Sequence, residues 1–207
     1  MKKTVIWDLD GTLLDSYDVI VESIYRTFLE NDILCTREEI HRHAIEFSVN
    51  SLFEQYAKLE NIDVQLLKQR YSQISTAMCM DIKVMEHGRE ALQALADRGV
   101  ENYVFTHRGK TTVAVLDHLE LTSFFREIIT SQHGFPRKPN PEGLLYLQTK
   151  YGIDPHNTYY VGDRKMDMGC ARNAGVYGIL FAPNSSFNVS GDETYLIKDL
   201  LEVEKIV

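Results

Sequence analysis

The chain has 207 residues, which is enough for one sizeable hydrophobic core with or without a small second domain. Its net charge of −8 argues against a general nucleic-acid binder, because such proteins need a basic surface. The three cysteines are too far apart for a zinc-binding pattern, so we expect reduced thiols and a cytoplasmic location. Asp8 and Asp10 interrupt the first apolar run, which predicts neither a signal peptide nor a membrane span.

The first predicted strand, residues 4–7, ends at two carboxylates that are one residue apart. Asp8 and Asp10 are followed by the turn Gly11-Thr12. Ligands of open α/β sheets bind outside the carboxyl ends of the strands. Two acids at such a place can hold a divalent cation, and one of them can act as a nucleophile. Since an acidic turn in solvent has the same pattern, the interpretation depends on what the other strands deliver.

Residues 16–81 have the pattern of a helical module. Apolar residues recur at helical spacing from Val19 to Phe28, and Thr36 and Glu39 have the spacing of a capping box. Further helices are predicted over residues 52–59 and 64–80, and no strand is predicted in this part of the chain. We expect the module to be a cap domain, inserted after the first strand and lying above the carboxyl edge of the sheet.

From residue 82 onward, short apolar strands alternate with helical patterns. The predicted strands cover residues 103–105, 127–130, 158–161 and 177–181, and the predicted helices cover residues 89–98, 111–119 and 141–151. Such alternation predicts a doubly wound parallel sheet in an α/β protein. We therefore expect a Rossmann-like catalytic core formed by residues 1–15 and 82–207, with residues 16–81 as the helical cap.

The later strands also end at polar groups. Thr106 follows the second predicted strand, Lys138 precedes a helix after the third, and Asp163 and Asp167 follow the fourth. A doubly wound sheet brings such strand ends close together. A carboxylate, a hydroxyl, a lysine and a hard cation bound by acids are the groups that phosphoryl transfer requires. Asp10 is then free to protonate a leaving alcohol and to deprotonate water.

In this order and spacing, the motifs resemble those of the haloacid dehalogenase superfamily, in the branch with a helical cap. The motifs are Asp8-Leu9-Asp10-Gly11-Thr12, Thr106, Lys138, and Gly162-Asp163 with Asp167. Residues 13–16 and 171–175 are similar to the phosphoglycolate phosphatase-like subgroup. The resemblance covers essentially the whole chain.

The resemblance implies a role for each motif residue. Asp8 is the nucleophile and a metal ligand, and Asp10 is the general acid/base with its backbone carbonyl on the metal. Thr106 and Lys138 bind the phosphoryl group. The remaining groups of the Mg²⁺ site are Asp163 and Asp167.

Asp167 can support the metal site directly, through water or through Lys138. It also has the position of an acid favoured in the first turn of a helix, and the two interpretations are compatible.

The implied activity is that of a Mg²⁺-dependent phosphatase, which acts on a small phosphorylated metabolite through an aspartyl phosphate. A sugar-phosphate mutase of the same family is the alternative, but residues 45–51 lack the basic side chains of mutase substrate loops. A receiver-like signalling domain is the non-enzymatic alternative, opposed by the helical insertion. The natural substrate and the oligomeric state stay open.

The residues after Thr106 depart from the pattern of many relatives, which have asparagine there. This chain has His107 and Arg108. Arg108 can clamp a second anionic group of a substrate or be a solvated loop cation, and we favour the solvated cation. The roles of both residues, and with them the choice of substrate, stay open.

Overall fold

The computed structural model describes residues 2–183 and 191–207. The chain divides into two compact units, one formed by Met1–Asp15 with Lys83–Val207 and the other by Ser16–Ile82. The roles of catalytic core and cap that the sequence assigned to these parts of the chain remain predictions.

The first unit contains a six-stranded sheet with the order β5-β4-β1-β6-β7-β8, in which neighbouring strands run parallel. Its strands are β1 (Thr4–Trp7), β4 (Glu101–Phe105), β5 (Phe125–Ile129), β6 (Thr158–Gly162), β7 (Tyr177–Phe181) and β8 (Tyr195–Ile197). The helices of this unit are α5 (Gly88–Asp97), α6 (Thr112–His118), α7 (Glu142–Tyr151), α8 (Lys165–Ala174) and α9 (Glu202–Ile206). The predicted doubly wound parallel sheet is confirmed.

Strand β1 lies between β4 and β6, and all four of its residues are buried. A central parallel strand is covered on both faces, which explains why its sequence is a continuous apolar run. Trp7 pairs with Val104 of β4 and with Val161 of β6. The residues that follow these strands therefore emerge at one edge of the sheet.

A small antiparallel ribbon joins the places where the chain leaves and re-enters this unit. It pairs β2 (Leu14–Asp15) with β3 (Lys83–Val84). The sequence did not predict the ribbon, because two residues per strand give no periodicity. Strand β8 and helix α9 were also not predicted, and residues 184–190 of the uninformative C-terminal stretch lie outside the described residues.

The second unit is helical, as the sequence predicts for residues 16–81. Its helices are α1 (Tyr17–Leu29), α2 (Arg37–Glu46), α3 (Val49–Glu60) and α4 (Val64–Met78). They share a core that includes Ile24, Phe28, Phe53 and Leu67. In no described part of the chain is a helix both long and apolar enough to cross a membrane.

The capping box at the start of α2 is confirmed. The backbone N–H of Glu39 donates to the Thr36 hydroxyl at 3.2 Å, and the backbone N–H of Thr36 donates to the Glu39 carboxylate at 2.8 Å. Two amides that lack a partner within the helix are thereby satisfied, and the helix start is fixed.

Candidate active site

Three buried carboxylates meet at the carboxyl edge of the sheet. One oxygen from each of Asp8, Asp163 and Asp167 lies within 4.8 Å of the others. Asp8 follows β1, Asp163 follows β6 and Asp167 lies in the first turn of α8. Strands β1 and β6 are parallel neighbours with Trp7 paired to Val161, so Asp8 and Asp163 leave adjacent strands at the same edge of the sheet.

Lys138 joins two of these acids. Its Nζ lies 2.9 Å from Oδ1 of Asp8 and 2.7 Å from Oδ1 of Asp167, and its side chain is 2% exposed. Burial by itself lowers the pKa of Lys138, but the charges of Asp167 and Asp8 outweigh it and raise this pKa above the ordinary value. Lys138 is therefore a fixed positive charge at the site.

The environment of Asp8 opposes its ionisation. Burial raises the pKa of Asp8 to about 6, and the neighbouring charge of Lys138 only partly offsets this effect. A further cation beside Asp8 would favour the ionised carboxylate, which is the form that a nucleophile needs.

Asp167 is fixed by several neighbours at once. Its Oδ2 accepts a hydrogen bond of 3.1 Å from the backbone N–H of Arg164. The Tyr160 hydroxyl lies 3.2 Å from its Oδ1. A Cβ added to Gly162 would lie 2.4 Å from the Cβ of Asp167, so only glycine fits at the end of β6.

Asp10 has different surroundings from Asp8. Its carboxylate lies outside the three-acid group, and its Oδ1 is 2.8 Å from Nη1 of Arg108. The Arg108 side chain is only 10% exposed. The expectation that Arg108 is a solvated loop cation was therefore wrong, because the guanidinium is buried against a carboxylate.

Two hydroxyls lie at the same strand ends. Thr106, which follows β4, is buried, and its hydroxyl accepts a hydrogen bond of 3.1 Å from the backbone N–H of Arg108. The Thr12 hydroxyl lies 3.4 Å from Oδ1 of Asp163. Thr106 therefore orders the loop that carries Arg108.

His107 contacts the lysine loop. Its Nε2 accepts a hydrogen bond of 2.9 Å from the backbone N–H of Lys138. Burial, followed by the charges of Lys138, Arg137 and Arg164, lowers the pKa of His107 to about 3. The imidazole is thus neutral at physiological pH, as an acceptor of this hydrogen bond must be.

Sequence reasoning missed Tyr160. Its hydroxyl lies 3.0 Å from the carbonyl oxygen of Phe105 and 3.2 Å from Oδ1 of Asp167, so it links β4, β6 and α8 beneath the site. A tyrosine in a buried strand reads as a core residue, and the sequence carried no signal for this polar contact.

The donor set of the three-acid group fits a hard divalent cation. Mg²⁺ and similar ions prefer carboxylate oxygens, and buried carboxylates require compensating positive charge. Asp8, Asp163 and Asp167 supply both the oxygens and the negative charge. The residues present therefore fit a divalent metal, with the Asp10 side chain turned to Arg108 instead.

Comparison with known proteins identifies the family to which the chain belongs. A sequence model of the haloacid dehalogenase-like hydrolase family matches residues 5–181. A phosphoglycolate phosphatase from Pseudomonas putida is 27% identical, in an alignment that covers 96% of this chain and 77% of the relative. A pyrophosphatase, PpaX, from Oceanobacillus iheyensis is 25% identical and covers 99% of this chain and 96% of the relative.

The fold is also that of a solved relative. A haloacid dehalogenase-like hydrolase from Streptococcus pneumoniae superposes with a TM-score of 0.85, at 22% identity, over 99% of this chain and 98% of that chain. Since the family model spans most of the sequence, the chain belongs to the haloacid dehalogenase-like hydrolase family. This membership argues against the receiver-domain alternative.

Proposed function

We propose that this chain is a Mg²⁺-dependent phosphatase that hydrolyses a small phosphate monoester through an aspartyl phosphate on Asp8. The observation that carries the proposal is the position of Lys138, whose Nζ contacts both Asp8 and Asp167 within the three-acid group. A nucleophilic carboxylate, a fixed cation and a set of oxygen ligands then share one buried site, as phosphoryl transfer requires.

The proposed reaction has two steps. A carboxylate oxygen of Asp8 attacks the phosphorus atom while Asp10 protonates the departing alkoxide oxygen. Asp10 then takes a proton from a water molecule, which attacks the phosphorus of the aspartyl phosphate, and phosphate leaves as the Asp8 carboxylate is restored. General acid/base help of this kind contributes about 10²–10⁴-fold to the rate.

Thr106 and Lys138 hold the phosphoryl group in this proposal. Asp8, Asp163, Asp167 and the backbone carbonyl of Asp10 would hold Mg²⁺, which when bound neutralises charge on the transferred group. Asp167 also supports Lys138, because its Oδ1 lies 2.7 Å from the lysine Nζ.

The helical unit Ser16–Ile82 is proposed to act as a cap that excludes bulk water and contributes to substrate choice. The substrate is proposed to be a small phosphorylated metabolite met in the cytoplasm, and nucleic acid is not expected as a partner of a chain with a net charge of −8. The names of the relatives, phosphoglycolate phosphatase and pyrophosphatase, support a small phosphorylated substrate.

The test is phosphate release from a panel of metabolite phosphates, with Mg²⁺, with Ca²⁺ and with chelator. We expect turnover with Mg²⁺ alone, because larger Ca²⁺ accepts looser coordination than in-line attack requires. Asp8→Asn should abolish turnover, whereas the matched Asp81→Asn, at an exposed carboxylate, should not. Full activity in chelator, or in Asp8→Asn, would contradict the proposal. A requirement for a sugar bisphosphate activator would instead support the mutase.

A further inference from the structure

The Arg108 side chain is 10% exposed, and its guanidinium is incompletely paired. Its Nη1 contacts Oδ1 of Asp10 at 2.8 Å. Within residues 2–183 and 191–207, its Nε has no hydrogen-bond partner although the atom is buried. An arginine carries five N–H donors in a planar fork, so a single contact with one carboxylate oxygen leaves donors for another anion.

The contact with Asp10 locates Arg108 relative to the reaction. In the proposed function, Asp10 transfers a proton to the leaving oxygen, whereas Thr106 and Lys138 hold the phosphoryl group. A side chain that hydrogen bonds to Asp10 therefore lies on the side of the leaving group. The Thr106 hydroxyl, which accepts from the backbone N–H of Arg108, fixes the start of this loop.

Several cations lie near His107, the residue that precedes Arg108. Burial has the largest effect on the pKa of His107. The charges of Lys138, Arg137 and Arg164 lower this pKa further. Because Asp8, Asp163 and Asp167 lie at the same edge of the sheet, an anion would be recognised here by the donors of Arg108 and not by a net positive field.

We propose that Arg108 is a specificity residue that binds a second anionic group, carried by the leaving group of the substrate. The preferred substrates are then phosphate monoesters whose alcohol bears a carboxylate or a second phosphoryl group. The fork of Arg108 matches both oxyanions, whereas a neutral substituent would leave the buried guanidinium donors unpaired. This inference rests on the proposed function. The experiment below distinguishes a failure of the inference from a failure of the proposed function.

The experiment measures kcat/KM with Mg²⁺ for three phosphates built on a two-carbon alcohol. Phosphoglycolate carries a carboxylate, the bisphosphate of ethane-1,2-diol carries a second phosphoryl group, and the neutral amide of phosphoglycolate carries neither. The wild-type protein should prefer at least one anionic ester over the amide by about 10-fold or more, and which one identifies the anion.

The same esters are compared in Arg108→Gln, in Arg108→Lys and in the control Lys110→Gln, which removes an exposed cation from the same loop. Arg108→Gln should lower the ratio of anionic to neutral kcat/KM by about 10-fold or more, because a charged hydrogen bond is lost. Arg108→Lys should give an intermediate ratio, since a point charge remains without the fork. Lys110→Gln should keep the wild-type ratio.

Three outcomes would overturn the inference. An equal loss on all three esters in Arg108→Gln would mean that Arg108 only positions Asp10. A wild-type preference for the neutral amide would exclude an anionic subsite without reference to any variant, so the test does not depend on the variants folding. Absence of turnover of every ester by the wild-type protein, in this series and in the metabolite panel, would overturn the proposed function itself.

Discussion

Asp8 and Asp10 are separated by a single residue in sequence but have different electrostatic surroundings. Asp8 is 9% exposed and contacts Lys138, whereas Asp10 is 24% exposed and contacts Arg108. Neighbouring carboxylates with different environments can take different roles in one reaction. The buried acid is the proposed nucleophile, and the more exposed acid is placed to exchange protons with the leaving group and with water.

The role of Asp10 predicts a loss that depends on the leaving group. Asp10→Asn should slow turnover by about 10²–10⁴-fold for an alkyl phosphate, whose alkoxide needs a proton, and less for p-nitrophenyl phosphate. The measurement is kcat for both esters, with Asp15→Asn, at an exposed acid of the same segment, as the control. Equal damage to both esters would count against proton transfer by Asp10.

The neutral state of His107 predicts an effect on stability at low pH. Its pKa is about 3 in the folded protein and about 6.5 when the chain is unfolded. Because the folded pKa is depressed, the stability contribution is fully present above pH 6.5 and is lost as the pH falls from about 6.5 towards about 3. The loss is at most about 1.4 kcal/mol for each pH unit.

The measurement is the free energy of unfolding at pH 7 and at pH 5 for the wild type, His107→Asn and the exposed control His118→Asn. Asparagine can still accept from the Lys138 amide but cannot take up a proton. His107→Asn should therefore lose less stability than the wild type between the two pH values, and His118→Asn should behave like the wild type. An equal loss in all three proteins would show that His107 titrates alike in both states.

The sequence predicted which acids and which lysine form the site, but not the side chains that they contact. Their positions after the strands predicted that Asp8, Asp163 and Lys138 would share one site, and both Asp163 and Lys138 lie close to Asp8. The pairing of Arg108 with Asp10 depends on how a long side chain packs in the folded protein, and no local pattern encodes it. Their catalytic roles stay predictions.

The turn from β6 into α8 positions two acids of the site. Asp163 follows the strand, and Asp167 folds back so closely that a Cβ on Gly162 would meet its side chain. The approach of the helix start to the strand end is therefore the local feature on which the geometry of Asp167 depends.

Gly162→Ala should destabilise the protein by about 1–3 kcal/mol through overpacking and should displace Asp167 from Lys138. The matched control is Gly109→Ala, because the nearest atom to an added Cβ there, Oγ of Ser131, lies at an ordinary 3.5 Å. Chemical unfolding and phosphate release measure the two effects. Wild-type stability and activity in Gly162→Ala would mean that the turn relaxes without cost.

The elements predicted from the sequence were those marked by a continuous apolar run, by helical spacing of apolar residues or by a capping motif. Strands β1 and β7 were predicted with their observed bounds, and α2 was marked by its capping box. The ribbon of β2 and β3 is held by tertiary pairing of two-residue segments, which no propensity argument detects. Strand β8 is three residues long, has two exposed residues and lies at the edge of the sheet beside β7, so it is too short to give the signal of a central strand.

The chain forms two units. One carries the acids of the site and Lys138, and the helical unit carries none of them. The helical unit has an exposed aromatic residue, Phe47, in the segment between α2 and α3. The cap proposal therefore predicts that the first unit carries out the reaction and that the helical unit selects the substrate.

Phe47→Ala should therefore change the ranking of metabolite phosphates by kcat/KM, while its effect on p-nitrophenyl phosphate should be smaller than that of Lys138→Ala. Leu34→Ala, at a residue that is 93% exposed in the same unit, is the control and should leave the ranking unchanged. A uniform decrease on every substrate in Phe47→Ala would show that this segment does not select substrates.

The central claim is that phosphoryl transfer passes through Asp8, and chemical trapping tests it most directly. The protein is mixed with Mg²⁺ and an excess of a phosphate monoester that it hydrolyses, quenched during turnover, and treated with borohydride, which reduces an aspartyl phosphate to homoserine. Peptide mass spectrometry should then find homoserine at position 8 in the wild type and no such change in Asp8→Asn. Modification of a different carboxylate, or rapid turnover by Asp8→Asn, would contradict the account.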